Sequence, residues 1–172
     1  KEQINMALNE LTLDVLVNNA GVTRDNLFFW MSDEEWDDVI NTSVNGTYHV
    51  TKSIIKEMIS QKSGAIVNVA SISGLVGNAG QTNYSAAKGA MIAFTKSLSL
   101  EVARYGVRVN AVAPGVIDSE MTKDLDLKEM KKNIPLKRLG YAEEVAECVF
   151  FLSDKASYVT GEVLNISGGL VR

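Results

Sequence analysis

Three short apolar runs, each closed by turn-forming residues, recur along this chain with helix-length segments between them, and that alternation leaves few folds open. Leu13-Asp14-Val15-Leu16-Val17 stops at Asn18-Asn19-Ala20-Gly21. Gly64-Ala65-Ile66-Val67-Asn68-Val69-Ala70-Ser71 runs into a Gly-rich loop over 73–80, and Val107-Arg108-Val109-Asn110-Ala111-Val112-Ala113 is cut off by Pro114-Gly115. Runs of this length, rich in β-branched residues and bounded by Gly, Pro or Asn, read as buried strands, and Pro ends one because it cannot extend the ladder. Gly161 to Ile166 reads as a last strand before Gly168-Gly169. Between the strands, Ser32-Asp33-Glu34-Glu35 is a capping box that opens helical periodicity, with a break, to about Ser60. Further helices are expected over Thr82 to Arg104 and Ala142 to Leu152, and residues 1 to 10 read as the end of a polar helix. The charged stretch 118–133 has weak helical signal and reads as a mobile flap. Strands alternating with helices imply βαβ units, right-handed crossovers and a parallel sheet covered on both faces. The expected fold class is α/β, a Rossmann-like doubly wound parallel sheet.

With 172 residues and 46% hydrophobic content the chain can bury one sizeable core, so 1–172 is expected to be a single domain. A net charge of −4 is the wrong sign for a nucleic-acid surface. No apolar stretch approaches the roughly 20 residues that span a bilayer, and Lys1-Glu2-Gln3 is not a secretory signal, so a soluble cytoplasmic protein with no membrane partner is expected. One Cys and one His exclude an internal disulfide and a His/Cys metal site. Cys148, inside the run Val145 to Leu152, reads as a core thiol, and His49 as a structural or surface residue.

In open parallel sheets ligands bind beyond the carboxyl ends of the strands, so the residues that end these runs are the candidates for function. Asn18-Asn19-Ala20-Gly21, Ser71 and Pro114-Gly115 are three such ends. On the helix that follows Ser71, Tyr84 and Lys88 lie four residues apart, which keeps them within roughly 40° on one face. Tyr is a poor acid-base group at neutral pH, with a reference pKa of about 10. An ammonium 5 to 6 Å away favours the phenolate by on the order of 3 kcal/mol, about two pKa units, so Lys88 is expected to bring Tyr84 toward the working range. Tyr84 would then give its proton to a carbonyl oxygen held by Ser71 while hydride reaches the carbon. A Tyr and a Lys at this spacing fall by chance on many helices, and a Ser at a strand end is commoner still. Weight comes from the combined order, with Ser71 thirteen residues before Tyr84 and the Asn-Asn-Ala-Gly and Pro-Gly strand ends on either side.

On these residues the chain resembles the short-chain dehydrogenase/reductase family, through Asn18-Asn19-Ala20-Gly21, Ser71, Tyr84-Ser85-Ala86-Ala87-Lys88 and Pro114-Gly115-Val116-Ile117. The resemblance runs along essentially the whole chain. Longer stretches, Asn19 to Asn26, Gly80 to Tyr84 and Ala156 to Gly161, are similar to the branch that reduces 3-oxoacyl thioesters on acyl carrier protein. The resemblance implies NADPH-dependent reduction of a 3-oxoacyl thioester to the 3-hydroxyacyl thioester, in fatty-acid synthesis, by a homotetramer with contacts along the Ser85 to Leu100 helix and the last strand. It places Asn19, Ala20 and Gly21 on the adenosine-ribose side of the cofactor and Pro114, Gly115 and Ile117 toward the nicotinamide. Lys88 would hold the ribose as well as acidify Tyr84. Ser119 and Met121 stand where the family tends to have Thr and Met, which fits a hydroxyl reaching the nicotinamide amide. Lys62 and Arg104 are candidates for docking acyl carrier protein near the cleft entrance, against ordinary solvated surface.

Two departures from the family matter. Its front end, a strand and a Gly-rich turn that meets the cofactor pyrophosphate at a helix N-terminus, does not precede Lys1. The chain is therefore expected to be the C-terminal two-thirds of one such domain, with the apolar edge of its first strand left open. The residue that separates NADPH from NADH belongs to that front end, so NADH stays open as the cofactor. The second departure is Ser43, in Asn41-Thr42-Ser43-Val44-Asn45-Gly46, where the family usually has an Asn that supports a water chain to the catalytic Lys. Ser43 is thus assigned to a modified relay. Another carbonyl substrate on the same machinery, or a non-catalytic scaffold subunit, are the alternatives.

Overall fold

The computed structural model describes residue 8, residues 11–122 and residues 127–171, without the side chains of Met121 and 127–129. The helix expected over residues 1 to 10 falls outside these apart from Leu8. Four strands, β1 (Val15–Asn18), β2 (Gly64–Val69), β3 (Val107–Pro114) and β4 (Val163–Ile166), form an all-parallel sheet in the order β1-β2-β3-β4. Pro114 is the last residue of its strand, paired in register with Ile166. The helices are α1 (Asp33–Ile40), α2 (Gly46–Gln61), α3 (Ser73–Val76), α4 (Thr82–Val102), α5 (Leu127–Asn133) and α6 (Ala142–Phe150).

Local chemistry accounts for several of these boundaries. Ser32 caps α1 as expected: its hydroxyl accepts from the Glu35 N–H at 3.2 Å, and the Glu35 carboxylate accepts from the Ser32 N–H at 2.8 Å. The break expected in the following periodicity is a π-helical turn over Asn41–Asn45, which joins α1 to α2. Gly64 admits the Met58 side chain, whose sulfur would stand 2.8 Å from a Cβ there. Within the stretch 118–133 the described residues include two short helical segments. Thr122 Oγ1 donates to the Ile117 carbonyl at 2.7 Å and closes a 3₁₀ turn over Glu120–Thr122, and α5 follows.

The core has two sides. On one, α2 and α4 pack Ile54, Ile55, Met58 and Val102 against Ile66, Val107 and Val109. On the other, α6 and the turn after it bring Leu152 and Ala156 onto Val67 and Val112, with half-buried Cys148 in the same cluster. Successive strand residues face opposite ways, so Ile66 and Val67 serve different layers. All three connections step the same way across the sheet, yet the last runs over the opposite face. Its hand must therefore be opposite to that of the first two, and the expectation of uniformly right-handed crossovers fails at the step to β4. Val15 and Val17 share the face of Val67 and remain 41% and 42% exposed, the open apolar flank expected of the first strand.

Candidate active site

A cleft of about 630 Å³ lies at the carboxyl ends of the strands. Asn19 and Gly21 follow β1, Ser71 follows β2, Tyr84 and Lys88 come from the first turns of α4, and Pro114, Gly115, Ile117 and Ser119 end and follow β3; all nine line it. Val145, Val149 and Phe150 of α6 close the far wall with apolar surface. Two assigned residues are not in the lining. Ala20 is exposed at the rim, and Ser43 is fully buried behind Gly21, with its Oγ 3.6 Å from where a Gly21 Cβ would stand. Lys88 Nζ is 3.3 Å from the same point, so the ammonium and the Ser43 hydroxyl border the space that the missing side chain of Gly21 leaves open.

Ser71 and Tyr84 are brought together. The Ser71 hydroxyl stands close enough to the Tyr84 phenol to favour its ionised form. Burial outweighs that, and with the nearby Asp25 charge it pushes the Tyr84 pKa above its ordinary value. This reverses the direction expected from spacing. Lys88 does stand 5.5 Å from the centre of the Tyr84 ring, but it is itself buried and donates to the Val69 carbonyl at 2.7 Å. Burial lowers the Lys88 pKa from 10.5 to about 8, so its charge is only partly present as pH rises.

The sign of that shift gives a stability prediction. Between about 8 and 10.5 the unfolded chain binds the Lys88 proton and the folded chain does not, so stability rises with pH across that window. Below pH 8 the fold carries a buried ammonium. Denaturant midpoints at pH 7 and pH 10 should show the wild-type protein gaining on Lys88→Met, and identical pH dependence in the two would contradict the assignment.

Side chains that the sequence reading passed over hold the site in place. Asn83, fully buried beside Tyr84, donates to the carbonyls of Arg24 at 2.9 Å and Glu35 at 3.1 Å, and its own oxygen accepts the Tyr84 N–H at 2.7 Å. Beneath the cleft a buried chain runs from Asn18 to Thr51 and Asn68, and from Asn68 to Thr95, with bonds of 2.8 to 3.1 Å. It ties β1 and β2 to α2 and α4. Every partner is satisfied, the condition under which buried polar groups specify a geometry rather than weaken it. Ser43 differs: among the described residues its Oγ is one of three buried side-chain polar atoms without a hydrogen-bond partner, with Ser85 Oγ and Asn165 Oδ1, and it lies inside the π-helical turn. Single π turns inside helices are frequent at functional sites.

The basic pair suggested for the entrance is placed elsewhere. Lys62 and Arg104 adjoin the amino ends of β2 and β3, where a Cβ on Gly106 would meet the Lys62 carbonyl. A six-residue strand is about 20 Å long, so within one chain they sit at the opposite end of the sheet from the cleft. Arg104 is engaged with its neighbour, donating to the Tyr105 hydroxyl at 2.7 Å.

Comparison with known proteins adds independent findings. A family model described as Enoyl-(Acyl carrier protein) reductase matches residues 4–171. Proteins named 3-oxoacyl-(acyl-carrier-protein) reductase FabG are similar over 92% of the chain: 53% identical in Chlamydia trachomatis, 51% in Thermotoga maritima and 49% in Vibrio harveyi. In each case the chain spans 66% of the relative's length.

Proposed function

The chain belongs to the short-chain dehydrogenase/reductase family, and from that premise we propose that it carries the catalytic part of an NADPH-dependent reductase of 3-oxoacyl thioesters on acyl carrier protein. Residues 1–172 then form the C-terminal two-thirds of one nucleotide-binding domain, in a cytoplasmic homotetramer of fatty-acid synthesis. Leu100, 84% exposed on α4, suits a subunit contact. The observation that carries this reading is the meeting of the Ser71 and Tyr84 hydroxyls beside Lys88 in the cleft.

Two hydroxyls side by side are suited to one carbonyl oxygen. Ser71 orients that oxygen, and Tyr84 delivers its proton there as the carbon is reduced. An acid must hold its proton until the reaction, and the raised Tyr84 pKa keeps the phenol protonated at neutral pH, which suits the reductive direction. Lys88 stabilises the phenolate left behind and returns a proton to it. The donor set fits a nicotinamide nucleotide: an ammonium, hydroxyls and the Asn19 amide stand at the strand tips, facing an apolar wall at Ile117, Val145 and Val149. Asn19, Ala20 and Gly21 would hold its adenosine-ribose side, Lys88 the nicotinamide ribose, and Pro114, Gly115, Ile117 and Ser119 the ring. When bound, the nucleotide supplies the hydride.

Ser43 takes the place of a relay residue behind Lys88. Its unpartnered oxygen makes the role separable from a structural one. Removing a buried polar group that has no protein partner should leave Ser43→Ala as stable as the parent, or more stable by about 1 kcal/mol. A relay role predicts that kcat nevertheless falls roughly tenfold, less than the full loss of an acid-base group because Lys88 remains. Unchanged kcat in Ser43→Ala would remove Ser43 from the relay.

NADPH absorbance, followed with the full chain, tests the function. The panel is a 3-oxoacyl thioester on acyl carrier protein and on coenzyme A, an enoyl thioester, and sugar and steroid ketones, with NADH as the second cofactor arm. Turnover fastest on the 3-oxoacyl thioester supports the proposal. Preference for the enoyl thioester or another ketone overturns it. Tight nucleotide binding with no turnover would favour the scaffold reading, which the departure at Ser43 motivates.

A further inference from the structure

We infer that Gln81 is a positioning residue of the cleft: its carboxamide joins the loop after β1 to the turn after β2, and so sets where the Ser71 and Tyr84 hydroxyls stand. The inference rests on the carbonyl-reduction reading only for its kinetic consequence, since the geometry stands without it.

Gln81 immediately precedes α4, three residues before Tyr84. Its Nε2 donates to the Asp25 carboxylate at 2.7 Å. Its Oε1 accepts from the Ser73 hydroxyl at 3.1 Å and from Asn78 Nδ2 at 3.0 Å. The chemistry fixes which way the amide faces, because a carboxylate accepts only and so requires the NH₂ end. Ser73 continues the line, its backbone N–H donating to Ser71 Oγ at 3.1 Å. With that lone pair occupied, the Ser71 hydroxyl hydrogen is free to point at the phenol or at a carbonyl oxygen. The Gly80 carbonyl accepts the Asn26 N–H at 2.9 Å and clamps the same two loops beside the carboxamide. Asp25, Gln81, Ser73 and Ser71 thus form one hydrogen-bonded line across three segments that each carry part of the site.

The line also decides where a charge stands. Among the described residues, Lys88 on the same helix and Asp25 from the loop after β1 are the charged groups bearing on Tyr84. Elsewhere charges are turned away: Arg24 pairs with Asp38 at 3.2 Å, and the Glu35 carboxylate is held by Ser32 and Asn26. From the turn after β2 it is the uncharged Ser71 hydroxyl that bears on the phenol. Asp25 opposes ionisation of the phenol, and Gln81 is the side chain that holds Asp25 there.

A double-substitution cycle on the full chain, read by the ultraviolet titration of Tyr84 taken as the difference from Tyr84→Phe, tests this without requiring turnover. Asp25→Asn keeps an acceptor for Gln81 Nε2 and removes the charge, so the Tyr84 titration should move to lower pH. In a Gln81→Met background, of similar length without the polar ends, the same Asp25→Asn change should produce little or no shift. Equal shifts in the two backgrounds overturn the inference, as does the absence of a shift in both. On the kinetic side, Gln81→Met should lower kcat roughly tenfold with the KM for NADPH nearly unchanged, as expected when a group is misplaced and not lost. Gln81→Met at the parental kcat would also overturn it. A parent protein without reductase activity would sink the proposed function and leave the titration cycle to decide the role of Gln81.

Discussion

Tyr84→Phe is expected to lower kcat for 3-oxoacyl thioester reduction by about three orders of magnitude, within the 10²–10⁴ range that a positioned acid contributes. The substitution removes one oxygen and keeps the ring, so the packing of α4 against the cleft is preserved. The phenol accepts no bond that the fold depends on, because Asn83 and Gln81 hold this end of α4 through their own side chains and the backbone. Thermal stability should accordingly change little. The nucleotide loses one hydroxyl contact but keeps Lys88 and the strand-end residues, and its dissociation constant should stay within about threefold, a loss below the net value of a typical hydrogen bond. The pattern sought is a fall in kcat with nearly unaltered nucleotide binding and melting temperature. NADPH absorbance, nucleotide titration and thermal denaturation measure the three quantities. Near-parental turnover would show that another group, or water, supplies the proton, and the mechanism built on Ser71, Tyr84 and Lys88 would fail. The pH dependence carries the same sign argument. The phenol must be protonated to act, so reduction should persist through neutral pH and decline on the alkaline side, first as Lys88 loses its proton near pH 8 and further as the buried Tyr84 ionises.

The features legible in the sequence were those written in local chemistry. β-Branched runs closed by Asn-Asn-Ala-Gly, a Gly-rich loop or Pro-Gly marked the strands, and Ser32 with Glu35 marked the start of α1. The spacing of Tyr84 and Lys88 placed both on one face of a helix, and strand ends located the cleft that both of them line. What escaped depends on environment. The Tyr84–Lys88 spacing gave the charge beside the phenol correctly, but the sign of the pKa shift depends on desolvation, which spacing does not carry. Lys62 and Arg104 were visible as charges, yet nothing adjacent to them in sequence says which end of the sheet they reach. Asn68 reads as a polar residue in an apolar strand, and its role appears only when Asn18 and Thr95 arrive from 50 and 27 residues away. The last crossover and the π turn at Asn41–Asn45 are likewise set by packing between elements. Gln81 had a weak signal, a polar side chain just ahead of the catalytic helix, and its partners lie in two other segments.

Gly74→Ala should be the most disruptive single methyl group that can be added near the site. Gly74 lies in α3, and a Cβ there would stand 2.6 Å from the Lys88 carbonyl carbon, 2.7 Å from the Gly89 nitrogen and 2.9 Å from Lys88 Cβ. Two of these are backbone atoms of α4, which cannot swing aside as the end of a side chain can. Overpacking of this kind costs about 1–3 kcal/mol, and the backbone contact puts Gly74→Ala at the upper end. For a chain of this size that corresponds to a fall in melting temperature of roughly 5–10 °C. The functional effect should be larger than the stability effect. The Gly74 N–H donates to the Ser71 carbonyl at 3.0 Å, so α3 cannot retreat without moving Ser71. If α4 retreats instead, Lys88 moves. Either response alters the spacing between Ser71 and Lys88, and displacements near 1 Å can cost about 10²-fold in rate. Gly77→Ala is the informative control. Nothing lies within 4 Å of its Cβ position, but its φ of 76° is unfavourable for a residue with a Cβ. With ψ at 163° the residue lies in a region that only Gly adopts readily, so that change should cost about 1–3 kcal/mol of backbone strain and leave kcat in place. Equal effects of the two substitutions on kcat would mean that α3 does not hold Ser71 against α4, and the close approach at Gly74 would have no bearing on catalysis.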